Sequence, residues 1–239
     1  MTLDSLPPHQ GGAEHLARLL AQALLAGRWQ PGDAFPRELD IARHFAVSRN
    51  QVRNALTTLT SAGLLERTAG RGTLVREMGD WHLLDPLMSK WMTGLVNIDP
   101  QLVRAIYAFR YSAEPMVAGL AAQAALPEDI ERLESAFAGM EKTATSTDLR
   151  GEHAEYDVAF HDATYRATHN LVWRQMGHLL RPSIMALVWG SQDRTGTLDD
   201  SLSRHRQVLE AIRNRDISAA ESAAREVLRR TAIDLGIVS

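Results

Sequence analysis

No cysteine occurs in the 239 residues. That absence excludes disulfides, thiolate zinc sites and cysteine nucleophiles together, and it fits a reducing, cytoplasmic setting. Long apolar runs are also missing. No stretch approaches the ~20 residues that a membrane-spanning helix needs, so no membrane partner is expected. The polar opening, residues 1–12 with two prolines, lacks the basic-then-apolar order of a secretion signal. Lysine is absent from residues 1–76, which carry nine arginines against six acids, a local charge of +3. Residues 77–239 carry 17 basic and 23 acidic side chains, a charge of −6. A basic module joined to an acidic one suggests that only the first faces phosphates, although solvated surfaces also vary by a few charges.

What is present is apolar periodicity, over a length that suits two domains with a core each. Leu16, Leu19, Leu20, Ala23 and Leu24 share one helical stripe. Gly27 ends that helix, and Pro31-Gly32 turns the chain. A second short helix spans about 37–45, with Ile41, Ala42 and Phe45 facing inward. Ser48 opens a third, with Gln51 three residues on as a capping box, an inner stripe of Val52, Ala55, Leu56 and Leu59, and Gly63 as its stop. Two short runs, 64–67 and 73–75, flank Ala69-Gly70-Arg71-Gly72 and read as a two-stranded wing. Residues 77–85 form a linker. Beyond it no strand pattern occurs. Asp99-Pro100 starts a long helix to about 125. Helices follow over 127–142, 149–168, 170–189, 198–215 and 218–235, the last opened by Ser218 and Glu221 as another capping box, and the longest join lies near 190–197. The expected fold is mainly α: a winged helix-turn-helix over 1–76, a linker over 77–85, and an all-α antiparallel helical bundle over 86–239.

The third helix has the two faces that a DNA reader needs. Arg49, Asn50, Arg53, Asn54 and Thr57 sit away from its apolar stripe. Arginine can grip guanine O6 and N7 with two parallel bonds, and asparagine or glutamine can do the same for adenine. The first turn of such a helix enters the major groove deepest, which brings Ser48, Arg49, Asn50, Gln51 and Arg53 nearest to bases and phosphates. An ordinary amphipathic surface helix would show the same two faces; the helix-turn-helix spacing and the glycine-rich wing decide for DNA. In the bundle, Asp157 and His161 lie four apart and project to one side. A carboxylate and an imidazole so placed can share a divalent cation; an i,i+4 hydrogen bond or a solvated face explains the pair as well. His205 would add a ligand from a distant helix. Two imidazoles favour zinc, with nickel or manganese as alternatives. The same trio would also serve a metal-dependent enzyme with Glu155 or Asp162 as general base.

Phe35-Pro36-Arg37-Glu38, Phe45-Ala46-Val47-Ser48-Arg49-Asn50-Gln51-Val52-Arg53-Asn54-Ala55-Leu56, Gly63-Leu64-Leu65 and Gly70-Arg71-Gly72-Thr73 together resemble the GntR family of regulators over about 13–76. The resemblance implies that Arg49 and Arg53 contact DNA, that Ser48 meets a phosphate, and that Gly70 and Arg71 enter the minor groove at the wing tip. The chain departs from the family at Leu39, where an arginine is usual; Arg37, two residues earlier, is the candidate replacement. Asp157-Val158-Ala159-Phe160-His161, His169-Asn170, Ser203-Arg204-His205, Leu209-Glu210-Ala211-Ile212 and Ala219-Ala220-Glu221 resemble the FadR-subfamily sensor domain of the FCD type over about 98–235. Such domains hold a divalent metal with residues matching Asp157, His161 and His205. A further family histidine falls at Val227, which leaves three protein ligands and open positions for water or an effector.

Arg110 matches an arginine that faces the sensor cavity in that family, an anchor for a carboxylate, or else it pairs with Glu114 one turn on. Ser201, four before His205, points to the same helical side and can bond an effector hydroxyl. Arg181 is a second anion anchor, and Trp189 is a cavity wall or plain core. Trp81-His82-Leu83-Leu84-Asp85-Pro86 with Trp91 resembles the linker of regulators that sense sugar acids such as galactonate. The implied protein is a cytoplasmic homodimeric repressor on double-stranded operator DNA. A small carboxylate, a sugar acid, bound beside the metal would release it.

Overall fold

The computed structural model describes Leu3 and residues 6–93, 95, 97–192 and 199–237, with backbone alone for 147, 178–180, 182–183, 186–187, 189–192 and 199. The chain divides into two compact units, Met1–Leu102 and Val103–Ser239.

In the first unit, α1 (Ala13–Leu25) buries the stripe that its leucines define. Helices α2 (Glu38–His44) and α3 (Arg49–Ser61) are joined by a turn in which Ala46 takes a left-handed φ of +52°. The Val47 amide donates to the Ala42 carbonyl at 3.1 Å, which closes that turn. The apolar face of α3, Val52, Ala55, Leu56 and Leu59, is buried as its spacing requires. Strands β1 (Leu65–Thr68) and β2 (Gly72–Val75) pair antiparallel from Leu65↔Val75 to Thr68↔Gly72. Gly70 and Gly72 carry the positive φ values of the tip, +75° and +84°. One edge was not legible from pattern: Ala34 bridges Leu74, and the Phe35 amide donates to Thr73 O at 2.8 Å.

A short helix, α4 (Pro86–Met92), follows the linker, capped by the Asp85 carboxylate and turning Met88, Trp91 and Met92 inward. Gln22 of α1 donates to the Trp91 carbonyl at 3.1 Å, and the Asp99 amide donates to Leu25 O at 2.8 Å. Residues 86–102 therefore go with the first unit, whereas the sequence reading begins the bundle at 86. The cause is tertiary, because α4 lies against α1, a helix far back in the chain.

The second unit is all helical: α5 (Pro100–Ala124), whose first turn opens at the junction, α6 (Pro127–Thr143), α7 (Arg150–Ala167), α8 (Leu171–Gln192), α9 (Asp199–Arg213) and α10 (Ile217–Asp234). Its main core joins Ala121 of α5, Leu133, Phe137 and Met140 of α6, Phe160 of α7, Val208 and Ile212 of α9, and Val227 of α10. One cap differs from expectation. Asp216, not Ser218, caps α10 and accepts from the Ala219 amide at 2.9 Å. Arg215, at φ +57°, ends the preceding turn one residue earlier, so Ser218 already lies inside the helix. The Trp189 side chain and residues 193–198 of the expected long join lie outside the described residues. Among the described residues no helix is long and apolar enough to cross a membrane.

Candidate functional site

The N-terminus of α3 is built by its cap. Ser48 Oγ accepts from the Gln51 amide at 3.3 Å, and the Ser48 amide donates to Gln51 Oε1 at 3.0 Å. The Ser48 hydroxyl also reaches Gln51 Oε1 at 3.1 Å, so Gln51 spends its carbonyl on the cap and keeps only its amide nitrogen for a partner. Arg49, Asn50 and Arg53 stand exposed on the face opposite the buried stripe. Glu38 of α2 meets Arg67 of the wing at 3.1 Å and approaches Arg53 at 3.9 Å. Arg37, Arg49 and Arg71 are exposed and form no ion pair among the described residues. A Cβ added at Gly70 would meet nothing within 4 Å, so the wing tip projects into open space. Leu39 is exposed beside Arg37, the α2 cap residue.

In the second unit, Asp157, His161 and His205 each present a ligating atom, all within 4.8 Å of one another. His161 Nε2 lies 3.4 Å and His205 Nε2 3.8 Å from Asp157 Oδ1. The His205 Nδ1–H donates to the Ser201 carbonyl at 2.8 Å, which leaves a lone pair on Nε2. Neither that Nε2 nor Asp157 Oδ1 has a hydrogen-bond partner among the described residues. Two buried acceptors thus face each other across a short gap, an arrangement that a cation satisfies. His161 is oriented likewise: its Nδ1 lies 3.1 Å from Glu114 Oε2, which directs Nε2 toward Asp157.

Glu114 is the hub. Arg110 donates to it from Nε at 2.6 Å and from Nη2 at 3.2 Å, and Nη2 also lies 3.2 Å from His161 Nε2. Arg110 is 1% exposed. Burial alone would raise the Glu114 pKa, but Arg110 and then His161 pull it down to about 2. Burial opposes charge on His161, yet Glu114, helped by Asp157, holds its pKa up at about 9 against the repulsion of Arg110. Burial pushes the His205 pKa down, against the pull of Asp157. Asp157 stays ionised: burial is outweighed by His205 and His161, which hold it below the usual carboxylate range. Beside these groups lies a small cavity of about 20 Å³, walled by Glu114, Phe160, His161, Tyr165, His205 and Val227 with other apolar side chains.

Two expected effector contacts fall elsewhere. Arg181 lies on the surface, paired with Glu155 at 2.7 Å, because its position on α8 faces outward. Ser201 meets His205 at Nδ1, the ring nitrogen that does not face Asp157, and Ser201, like Arg181, does not wall the cavity. For Arg110, the pairing with Glu114 is the one observed, and among the described residues its Nη1 has no partner. Sequence reasoning missed three residues. Glu114 appeared only as a partner of Arg110; its hold on His161 depends on how α5 meets α7. Tyr165 lies one turn past His161. His153 lies one turn before Asp157, is fully buried, and bonds Met140 O at 3.1 Å and Thr143 at 3.0 Å. The four-residue spacing 153–157–161 was the available signal for it.

The FCD domain family matches residues 105–230, and the bacterial regulatory proteins of the gntR family match residues 13–75. The chain belongs to the GntR family of regulators, with a C-terminal FCD domain. The galactonate operon transcriptional repressor of Escherichia coli K12 is 31% identical over 86% of this chain and 88% of its own length. The putative L-lactate dehydrogenase operon regulatory protein of the same organism is 30% identical over 81% of this chain and 74% of its own. Among solved structures, that of the protein Lar, described as controlling the Listeria monocytogenes agr system, shares the fold with a TM-score of 0.63 at 16% identity, over 98% of this chain and all of that one. This GntR/FCD chain is a transcriptional regulator and not an enzyme, which sets aside the reading of Asp157, His161 and His205 as a catalytic metal centre. Regulators of this kind bind operator DNA with the winged helix and small effectors with the FCD domain.

Proposed function

We propose that the protein is a repressor that grips double-stranded operator DNA as a homodimer and lets go when a small carboxylate, a sugar acid, binds beside a divalent metal in the FCD domain. The observation that carries the sensing half is the facing pair of acceptors, Asp157 Oδ1 and His205 Nε2, that have no hydrogen-bond partner among the described residues, with His161 alongside. Two imidazoles and one carboxylate suit zinc, with nickel or manganese as alternatives, better than calcium or magnesium, which prefer all-oxygen shells. When bound, the metal supplies a Lewis acid for an acid or hydroxyl oxygen of the effector. The buried Arg110–Glu114 pair fixes His161 and keeps positive charge close by. The likeness to a galactonate operon repressor favours sugar acids, and the likeness to a lactate operon regulator puts 2-hydroxy acids next.

On the DNA side, Arg49, Asn50 and Arg53 read the major groove from α3, with the amide of Gln51 beside them. Ser48 and Arg37 meet phosphates, and Gly70 with Arg71 enters the minor groove. Two such heads match a pseudo-palindrome, which a single head reads weakly. The effector favours a sensor state in which the heads no longer fit the operator.

The test is binding of the metal-loaded protein to its own promoter and to random DNA at several salt concentrations, with D-galactonate or L-lactate added before or after chelation. Specific binding should fall steeply with salt, because arginines displace counterions. An acid should release only the metal-loaded protein. Equal affinity for random DNA at every salt overturns the regulator reading. Unchanged metal content in both His161→Ala and His205→Ala overturns the site.

A further inference from the structure

The cavity beside the metal-ligand trio is closely accounted for in hydrogen bonds. Its polar wall consists of Glu114, His161, Thr164, Tyr165 and His205. Both Glu114 oxygens are taken, by Arg110 and by His161. The two nitrogens of His161 face Glu114 and Asp157. The Thr164 hydroxyl donates to the Phe160 carbonyl at 3.0 Å. Two wall atoms remain without a partner among the described residues: His205 Nε2, an acceptor, and the Tyr165 hydroxyl. The first belongs to the cation site. The second is not explained by it, and a buried hydroxyl with no partner costs the full loss of its hydration.

The Tyr165 ring is held firmly. It is 1% exposed, and α8 crosses it so closely at Gly177 that a Cβ there would lie 2.7 Å from Tyr165 Cβ. Trp173 tilts against it at 6.2 Å between ring centroids. Rotation toward a partner elsewhere is thus blocked. Burial, reinforced by the charge of Glu114, pushes the phenol well above its ordinary range, so the group stays protonated and donates. Room of about 20 Å³ fits one water or one carboxylate oxygen. The other wall residues, among them Val117, Ala118, Val208, Ala224 and Val227, offer no hydrogen bond to compete.

We propose that Tyr165 is a specificity-determining residue of the sensor, its hydroxyl donating to an acid oxygen of the effector inside this cavity. Arg110, which does not wall the cavity, acts as a positioning residue through Glu114 and His161. The inference rests on the metal-and-carboxylate reading above.

The test uses the full chain loaded with Co²⁺, whose visible spectrum reports ligation, titrated with acetate and with its neutral analogue acetamide. Tyr165→Phe keeps the ring and removes only the hydroxyl. Thr164→Val removes a hydroxyl from the same wall whose bond is already made. Acetate should perturb the wild-type spectrum and acetamide far less. Tyr165→Phe should bind Co²⁺ as the wild type does, yet lose about ten- to a hundredfold in acetate affinity, the usual range for a hydrogen bond to a charged group. Thr164→Val should stay close to wild type. Equal acetate affinity in Tyr165→Phe and wild type overturns the role of Tyr165 while leaving the carboxylate site standing. No acetate response in wild-type protein that does bind Co²⁺ overturns both, and failure to bind Co²⁺ at all overturns the metal reading on which both rest.

Discussion

Arginine does opposite work in the two units. On the winged helix Arg49 and Arg71 stand in water, and Arg53 has only a 3.9 Å approach to Glu38. In the FCD domain Arg110 is shut away and locked to Glu114 at 2.6 Å. A hydrated guanidinium is ready to exchange counterions for phosphate. A buried one has to be neutralised where it stands, because desolvation would otherwise exceed any gain. Exposure separates the charges that wait for a partner from those that hold a shape.

The largest expected effect breaks that contrast at its buried end. Glu114→Ala strands Arg110 and His161 without their shared carboxylate, and should destabilise the chain by about 3–5 kcal/mol in urea denaturation. Glu38→Ala, the matched change at the exposed pair with Arg67, should cost under ~1 kcal/mol. Similar losses in the two variants would remove the distinction.

Next comes pH. In metal-free protein the His161 pKa is raised from its ordinary 6.5 to about 9. Below 6.5 folded and unfolded chains both carry the proton and the stabilisation is fully present. As pH rises, the unfolded chain gives up its proton first, so stability on the order of 3 kcal/mol should drain away by about pH 9. Metal must displace that same proton, so metal affinity should climb through the same window. Melting temperatures of apo and loaded protein that move in parallel between pH 6.5 and 9 would refute this.

Smaller effects belong to the exposed unit. Arg49→Ala should weaken binding to the operator by about 1–3 kcal/mol and to random DNA by much less. An equal loss on both would make Arg49 a phosphate contact. Ser48→Ala removes the α3 cap and should cost about 1 kcal/mol of stability. A variant that melts with the wild type would show that Gln51 alone sustains the helix start.

Much of the first unit was legible because its signals are local: the Ser48–Gln51 cap, the inner stripe of α3 and the glycines of the wing each act within a few residues. Asp157, His161 and His205 were legible too, the first two through helical spacing and the third through a family motif. The rest depends on contacts between distant segments. Trp91 read as part of the bundle, because the hydrogen bond from Gln22 of α1 to its carbonyl carries no local signal. Glu114 looked like a mere salt-bridge mate. The Ser218 cap failed because Asp216 competes for the same helix start from two residues upstream. Tyr165 carries no motif at all, and only the count of satisfied hydrogen bonds around it singles it out.

The trio of ligating atoms comes from α7 and α9, with all of α8 strung between them. A cation held there closes a chain loop of several dozen residues, much as a covalent crosslink would. For loops of that length polymer theory assigns about 4 kcal/mol of lost freedom in the unfolded ensemble, provided the clip survives denaturation. Chelation would then act first on the tether: amide protons of α8 should begin to exchange sooner than those of α6, which lies outside the loop.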